Sequence, residues 1–200
     1  MILPPVTFHS ANPCRMSVSR TFVALAAALV GSMAGAAPPP QYDGGPGWLQ
    51  ISPRSTFYRT ANDPKAEAPV FFILAELPFS DVTKPLTIEV FGDYKAKSTE
   101  GDVRTVLHGV FTKTATALAS NLQKRLPDAL NAGTDVATGP TNNLGLATDI
   151  VEDFRIIPCN GKFQVAIPAG AQWVIVCVPD AFYGDNVDPD GDLWVRFSRQ

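Results

Sequence analysis

Six oxygen-bearing side chains lie within thirteen residues near the C-terminal end of the sequence. They are Asp180, Asp185, Asn186, Asp188, Asp190 and Asp192. Neighbouring carboxylates repel one another and resist ionising together, and a divalent cation removes that cost. An all-oxygen set, with no histidine or thiol in the turn, favours calcium over zinc or copper. The spacing therefore predicts a calcium site.

Two other interpretations of this turn stay open. The run Asn186 to Gly191 matches the first half of an EF-hand loop, but position 12 of that loop falls on Phe197 where a glutamate is required. Aspartates in a turn rich in glycine and proline are also common as turn formers, because their side chains bond to their own backbone. The segment Asp188-Pro-Asp190-Gly191 alone is typical of that simpler chemistry.

A longer stretch around the turn resembles a known family. It runs from Ile167 to Phe197 and contains Pro168-Ala-Gly-Ala, an apolar strand, Asp180, and the turn Tyr183-Gly-Asp-Asn before a final alternating strand. This order resembles the C-terminal part of the galactose-binding, calcium-dependent bacterial lectins of the PA-IL type. The segment "PLTIEVFGDYKA" is similar, more weakly, to the earlier strand and first ligand loop of that family.

The resemblance implies a calcium site and a sugar partner. The implied metal ligands are the backbone carbonyls of Tyr94 and Phe182 and the side chains of Asp180, Asp185 and Asn186. Asp180, Tyr183 and Asp185 would then contact a carbohydrate or another polyhydroxylated ligand, since calcium in these lectins also coordinates two sugar hydroxyls. The sequence after Tyr94 lacks the family's His-Pro-x-Gln segment, so no particular sugar is assigned.

Short strand-like segments separated by glycine and proline dominate the chain that must position these residues. The segments 68–77, 86–90, 105–111 and 193–197 are apolar runs or alternate between apolar and polar residues. The segment 162–178 reads as a hairpin that turns at Pro168 to Ala171. The pattern predicts a mainly β fold, an antiparallel β-sandwich of the jelly-roll, galactose-binding-domain-like kind.

One segment has helical spacing instead. Ala115, Leu118, Leu122 and Leu126 recur at intervals of three and four residues before Pro127, which predicts one short helix. A long, partly irregular connection across one end of the sandwich is the alternative.

The N-terminal residues have the features of an export signal. Arg20 precedes an apolar run from Phe22 to Val30, and Ala34-Gly-Ala36 follows as a cleavage site. We therefore expect residues 1–36 to be a signal peptide, with Met16 as a possible start, 37–47 to be a Pro/Gly-rich tether, and 48–200 to be the folded domain. The mature protein would be secreted or periplasmic without a membrane span, because the apolar run is about half of the ~20 residues that a bilayer requires.

The net charge narrows the class of partner, and the cysteine content bears on disulfide formation. The chain has 16 basic and 19 acidic residues, and loss of Arg15 and Arg20 with the signal leaves 14 against 19, a net charge of −5. That balance argues against a nucleic-acid partner. An even pair of cysteines in an exported chain predicts a disulfide between Cys159 and Cys177, and two buried free thiols are the alternative.

Catalytic motifs are scarce, so we do not expect an enzyme. His108 is the single histidine after the signal, and a lone histidine on a strand is more often structural than catalytic. Asp149, Glu152 and Asp153 leave a glycoside hydrolase as a weaker alternative. A structural or assembly module of the cell surface, with a structural calcium or none, is the main rival to a lectin-like domain. The sequence does not predict an oligomeric state.

Overall fold

Strands carry nearly all of the regular structure. The computed structural model describes residues 47–77, 83–97, 103–133, 150–158 and 161–199. Its strands are β1 (Trp48–Gln50), β2 (Val70–Ile73), β3 (Leu86–Phe91), β4 (Tyr94–Lys95), β5 (Val103–Arg104), β6 (Leu107–Thr112), β7 (Ala129–Leu130), β8 (Phe154–Ile156), β9 (Lys162–Val165), β10 (Trp173–Cys177) and β11 (Trp194–Arg199). A single 3-10 turn, Leu74–Glu76, follows β2. In the ranges described, no helix has the length and hydrophobicity needed to span a membrane.

Four of these strands form one antiparallel sheet in the order β1-β11-β3-β9. On β11 and the residue before it, Leu193, Val195 and Phe197 are buried. Trp194 and Arg196 alternate with them and remain partly exposed. This alternation is the one that the sequence predicts for a strand with a single face in the core.

A second antiparallel sheet has the order β2-β10-β6-β7, and β8 pairs with the same edge of β6 further along the strand. The two sheets pack face to face. Phe72 of β2 stacks on Phe197 of β11 with ring centroids 4.6 Å apart, and Phe154 of β8 stacks on Phe163 of β9 at 6.0 Å. The predicted antiparallel β-sandwich is thus confirmed.

The central strands of the second sheet, β6 and β10, are buried on both faces. Val174 and Val176 of β10 point into the core between the sheets, whereas Ile175 and Cys177 point the other way. That outer face is covered by a second apolar cluster that includes Phe57, Tyr58, Leu126 and Ile150. Burial on both faces explains why β10 is a continuous apolar run without alternation.

The predicted helix is wrong. After β6 the chain runs without regular structure from residue 113 to 128, as the alternative of an irregular connection anticipated. Only one of the four spaced residues, Leu126, is fully buried, and Leu122 is 44% exposed. Leu126 packs on the outer face of the sheet, and Arg125 holds the segment there by donating to the backbone carbonyls of Leu118 and Tyr58. Tertiary contacts of this kind outweigh a weak helical propensity.

The predicted hairpin at 162–178 is also wrong. β9 pairs with β3 in the first sheet, whereas β10 pairs with β2 and β6 in the second. The turn at Pro168 to Ala171 therefore carries the chain from one sheet to the other. Periodicity indicated both strands but could not say which sheet each one joins.

The predicted signal peptide, residues 1–36, and nearly all of the predicted tether, residues 37–47, lie outside the described residues. The expected folded domain begins where the description begins, at Gly47 and Trp48 of β1.

Candidate functional site

Three aspartates converge in the turn between β10 and β11. Asp188, Asp190 and Asp192 each place a carboxylate oxygen so that the three oxygens lie within 4.8 Å of one another. Gly191 between them has a φ of 68°, a conformation that glycine adopts without cost. Asp190 is exposed and the other two are partly buried. We call these three residues the aspartate turn.

Asp188 holds the turn in shape. Its Oδ1 accepts hydrogen bonds from the backbone N–H groups of Gly191 at 3.0 Å and Asp192 at 3.3 Å, and its Oδ2 accepts from Leu193 at 3.2 Å. Burial raises the pKa of the Asp188 carboxyl, and its contact with the Asp190 carboxyl raises that pKa further, against the opposing effect of these backbone donors. One carboxylate of the turn is therefore fixed by the backbone.

A fourth carboxylate lies beside the turn at the end of β3. The backbone N–H of Asp93 donates to Oδ1 of Asp192 at 3.2 Å. Gly92 makes this approach possible, because its φ is 75° and a Cβ there would collide with the backbone of Asp192. Burial raises the pKa of Asp93, and the charges of Asp192 and Asp190 raise it further. Four acidic side chains therefore lie together at one end of the first sheet.

The residues implied by the lectin resemblance are distributed between two cavities. Asp180 and Tyr94 line one cavity, of about 430 Å³, while Asn186 lines another, of about 540 Å³, together with Asp188 of the aspartate turn. Asp185 is partly exposed, and the ring of Phe182 is 37% exposed. The two cavities do not share a lining residue, so neither one contains the whole implied ligand set.

The earlier loop nevertheless lies beside the C-terminal turn, as the resemblance implies. Lys95 and Val187 form an antiparallel bridge with N–O distances of 2.8 and 3.0 Å. The antiparallel register of this bridge places Tyr94 across from Asp188 and Ala96 across from Asn186. The Tyr94 ring itself is fully buried in the core between the sheets.

Tyr183 anchors the turn to the core. Its ring is 1% exposed, so no face of it is open to a sugar. Its hydroxyl accepts hydrogen bonds from Thr56 Oγ1 at 2.9 Å and from the Asp180 N–H at 3.1 Å, and it donates to the Val178 carbonyl at 3.1 Å. Its own N–H donates to Oδ2 of Asp63 at 2.5 Å. The structure assigns Tyr183 these internal contacts.

Asn186 and Asp180 each leave one buried acceptor without a hydrogen-bond partner in the described part of the chain. Nδ2 of Asn186 donates to the Pro53 carbonyl at 2.8 Å, which leaves Oδ1 of this fully buried side chain unbonded. Oδ1 of Asp180 accepts from the Ala181 N–H at 2.6 Å, which leaves Oδ2. Burial raises the pKa of Asp180 although the charge of Arg104 opposes the shift.

The predicted disulfide is not formed. Cys177 is a free thiol, fully buried beside Phe57 and Tyr58 in the outer cluster, and Cys159 lies outside the described residues. Burial raises the pKa of the Cys177 thiol well above its ordinary value. The even number of cysteines predicted a disulfide from composition alone. In the structure Cys177 packs instead as a small core residue.

A buried polar network lies under the same cluster and was not predicted. The Tyr58 hydroxyl donates to Oδ2 of Asp153 at 2.5 Å and is hydrogen-bonded to Nδ1 of His108. All three side chains are buried. Burial, followed by the charge of Arg155, lowers the pKa of His108 to about 3, so its ring is neutral at pH 7. The sequence favoured a structural role for His108, and this network is consistent with one.

The network adjoins the cavity of about 430 Å³ that Asp180 lines. The remaining lining residues are Tyr94, Arg104, Val106, His108, Arg155, Ile157, Pro179 and Ala181. We call it the arginine cavity. His108 and Arg155 are Cα partners in the β6–β8 ladder, so their side chains project from the same face of the sheet. Sequence inspection missed this site because its two arginines and its histidine lie on three separate strands.

The structure also places the residues on which the EF-hand and hydrolase alternatives depend. Phe197, at position 12 of the EF-hand pattern, is buried in the core and stacks on Phe72, so it supplies no ligand. Of the suggested hydrolase acids, Asp149 lies outside the described residues, Glu152 pairs with Lys124 at 3.0 Å, and Asp153 is fully buried under Tyr58.

Comparison of the chain with protein-family models, with curated proteins and with solved structures finds no match.

Proposed function

We propose that this protein is an exported, calcium-dependent carbohydrate-binding module whose ion lies in the aspartate turn. The observation that carries the proposal is the convergence of the carboxylates of Asp188, Asp190 and Asp192 within 4.8 Å. The carboxyl of Asp93 is close enough for the charges of Asp190 and Asp192 to raise its pKa, so it adds a fourth acid beside them. Burial is the main cause of the raised pKa values of Asp93 and Asp188, and neighbouring acids raise them further; a divalent cation among these groups would offset that second contribution.

The donor chemistry supports calcium in particular. All four groups are carboxylates, and hard oxygen ligands suit calcium, which takes six to eight of them in flexible geometries. Three or four aspartates leave several coordination positions for water or for the hydroxyl pair of a sugar. Asp190 is exposed, so the side of the turn that it occupies is open to solvent. The resemblance to the PA-IL-type lectins supports the choice of a sugar as the ligand that completes the shell.

A structural module is the second candidate, and one observation favours it. Asp188 already uses both of its oxygens to cap three backbone N–H groups, as a turn-forming aspartate does. In this candidate the ion, if any, steadies the turn before β11, and no glycan is retained.

Glycan-array binding separates the two candidates. The wild-type protein is applied with calcium and with chelator, beside Asp190→Asn, which removes the exposed carboxylate, and Glu76→Gln, which removes an exposed charge from the 3-10 turn after β2. The lectin-like function predicts glycan retention by the wild type and Glu76→Gln in calcium only, with loss in Asp190→Asn. Retention of an uncharged glycan that survives the chelator, or the absence of any retained glycan, would contradict it.

A thermal measurement on the same proteins identifies the structural candidate. A calcium-dependent rise in melting temperature without glycan retention would show that the ion binds the native state and serves its stability.

A further inference from the structure

The arginine cavity combines hydrogen-bond donors and acceptors in a way that the aspartate turn does not. Arg155 lies on β8 and is exposed, and the structure shows no ion pair or hydrogen bond for it within the described ranges. Arg104 lies on β5, across the β4–β5 ladder from Tyr94. Arginine presents five N–H donors in a planar fork that matches a carboxylate or a phosphate.

The buried network determines whether Nε2 of His108 is a hydrogen-bond donor or an acceptor. The Tyr58 hydroxyl has a single proton, and it donates that proton to Asp153. The hydrogen bond between Tyr58 and Nδ1 of His108 must then be donated by the histidine, so Nδ1 carries the ring proton. The other nitrogen, Nε2, is therefore an acceptor. His108 is among the residues that line the cavity, although its side chain is almost fully buried.

Asp180 supplies a second acceptor in the same wall. Its Oδ2 is buried and has no hydrogen-bond partner in the described part of the chain. A ligand with an anionic group for the arginines and N–H or O–H donors for His108 and Asp180 would match the polar groups of this wall. Two arginines, one aspartate and a neutral histidine also sum to a single positive charge, which matches a monoanion better than a dianionic phosphate.

We propose that the arginine cavity binds a hydroxylated carboxylate of the sugar-acid class. The carboxylate pairs with the guanidinium of Arg155, assisted by Arg104. Hydroxyl groups of the ligand donate to Nε2 of His108 and to Oδ2 of Asp180. Tyr58 and Asp153 do not touch this ligand, but they position His108 by fixing its tautomer. The proposal requires no calcium and is independent of the aspartate turn.

The test uses the histidine ring as the reporter. A His9→Gln background leaves His108 as the sole histidine, and long-range proton–nitrogen correlation spectra then report which ring nitrogen carries the proton. The spectrum without ligand is expected to show a neutral ring protonated on Nδ1. Protonation on Nε2 would overturn the proposal, because the cavity would then present a donor where an acceptor is required.

Titration with sodium D-galacturonate in the presence of EDTA follows. We expect the Nε2 resonance to move saturably at millimolar concentrations. D-galactose, which lacks the carboxylate, acetate, which lacks the hydroxyls, and inorganic phosphate are each expected to bind about tenfold more weakly or not at all. An equal response to D-galactose or to phosphate, or no response to galacturonate, would overturn the proposal.

The variants are Arg155→Gln and the control Lys113→Gln. Arg155 and Lys113 are both exposed, so each change removes one positive charge without disturbing the core. Arg155→Gln is expected to weaken galacturonate binding about tenfold or more, and Lys113→Gln to leave it unchanged. Binding that is unaltered in Arg155→Gln, or that appears only when calcium replaces EDTA, would refute this site. The second result would assign the ligand to the aspartate turn instead.

Discussion

The hydroxyl of Tyr58 donates a 2.5 Å hydrogen bond to Oδ2 of Asp153 in a part of the core where both side chains are fully buried. A carboxylate in such surroundings is costly unless it is hydrogen-bonded. Through the same hydroxyl, Asp153 is linked to His108 of β6. This network connects the segment before β2, the segment before β8 and the centre of the second sheet.

Tyr58→Phe should therefore destabilise the fold beyond what its lost atom suggests. The change leaves a buried carboxylate and the buried Nδ1–H of His108 without their shared partner, and we expect a loss of about 2 kcal/mol in the free energy of unfolding. Urea denaturation followed by circular dichroism measures it. A loss below about 0.5 kcal/mol would show that the network contributes no more than an ordinary surface contact.

His108 should make the stability depend on pH. Its pKa is about 3 in the folded state, whereas the unfolded value is near 6.5. Between these values the unfolded chain binds a proton that the native state does not, so stability rises with pH through this window and is lost as pH falls below about 6.5. The slope is on the order of 1.4 kcal/mol per pH unit.

The contribution is measured as a difference from His108→Gln. Asp93, Asp180 and Asp188 have raised pKa values and affect stability with the opposite sign, but both proteins contain them, so their effects cancel. Between about pH 6.5 and pH 5 the wild type should lose about 2 kcal/mol relative to the variant. Parallel pH profiles for the two proteins would contradict a neutral, buried His108.

Gly92→Ala should disrupt the approach of β3 to the aspartate turn. The new Cβ would collide with the Asp192 backbone, and the position also has a φ of 75°. Gly170→Ala is the matched control, since Gly170 has a φ of 83° but open space around a Cβ. The control should lose about 1 kcal/mol from backbone strain, and Gly92→Ala at least about 2 kcal/mol more. Equal losses in chemical denaturation would mean that the contact with Asp192 is not tight.

Cys177 should be unreactive in the native protein. It is a fully buried free thiol with a raised pKa, and alkylation requires an accessible thiolate. Brief iodoacetamide treatment followed by peptide mass spectrometry should find Cys177 unmodified before denaturation and alkylated after it. Native alkylation at the rate of the denatured chain, or recovery of Cys177 in a disulfide with Cys159, would contradict the structure.

The local sequence pattern was enough to predict those strands that have one face in the core and one face toward solvent. The alternation of Leu193, Val195 and Phe197 with polar neighbours follows directly from one buried and one exposed face. The same reasoning failed between Lys113 and Asp128, because leucines spaced like a helix were used by an irregular segment that covers the second sheet. It also failed to show that β9 and β10 belong to different sheets, because strand pairing depends on contacts between residues that are distant in sequence.

For the candidate sites too, the sequence predicted groups of residues that are close along the chain and missed groups that only the fold brings together. The acidic turn was visible because its aspartates are close in sequence, and the chain turn at Gly191 brings three of their carboxylates together. Asp93 was not visible, since it reaches the turn only through the pairing of β3 with β11. His108, Arg104 and Arg155 were missed as a group for the same reason, because the ladders of the folded sheets bring them together.

Isothermal titration with calcium tests the central claim most directly. We compare the wild type with two double variants of equal charge change, Asp190→Asn/Asp192→Asn in the aspartate turn and Asp180→Asn/Asp185→Asn in the set implied by the lectin resemblance. The account predicts one calcium ion bound by the wild type and by the second variant, and none by the first. Wild-type calcium binding by Asp190→Asn/Asp192→Asn, or no calcium binding by the wild type, would contradict it.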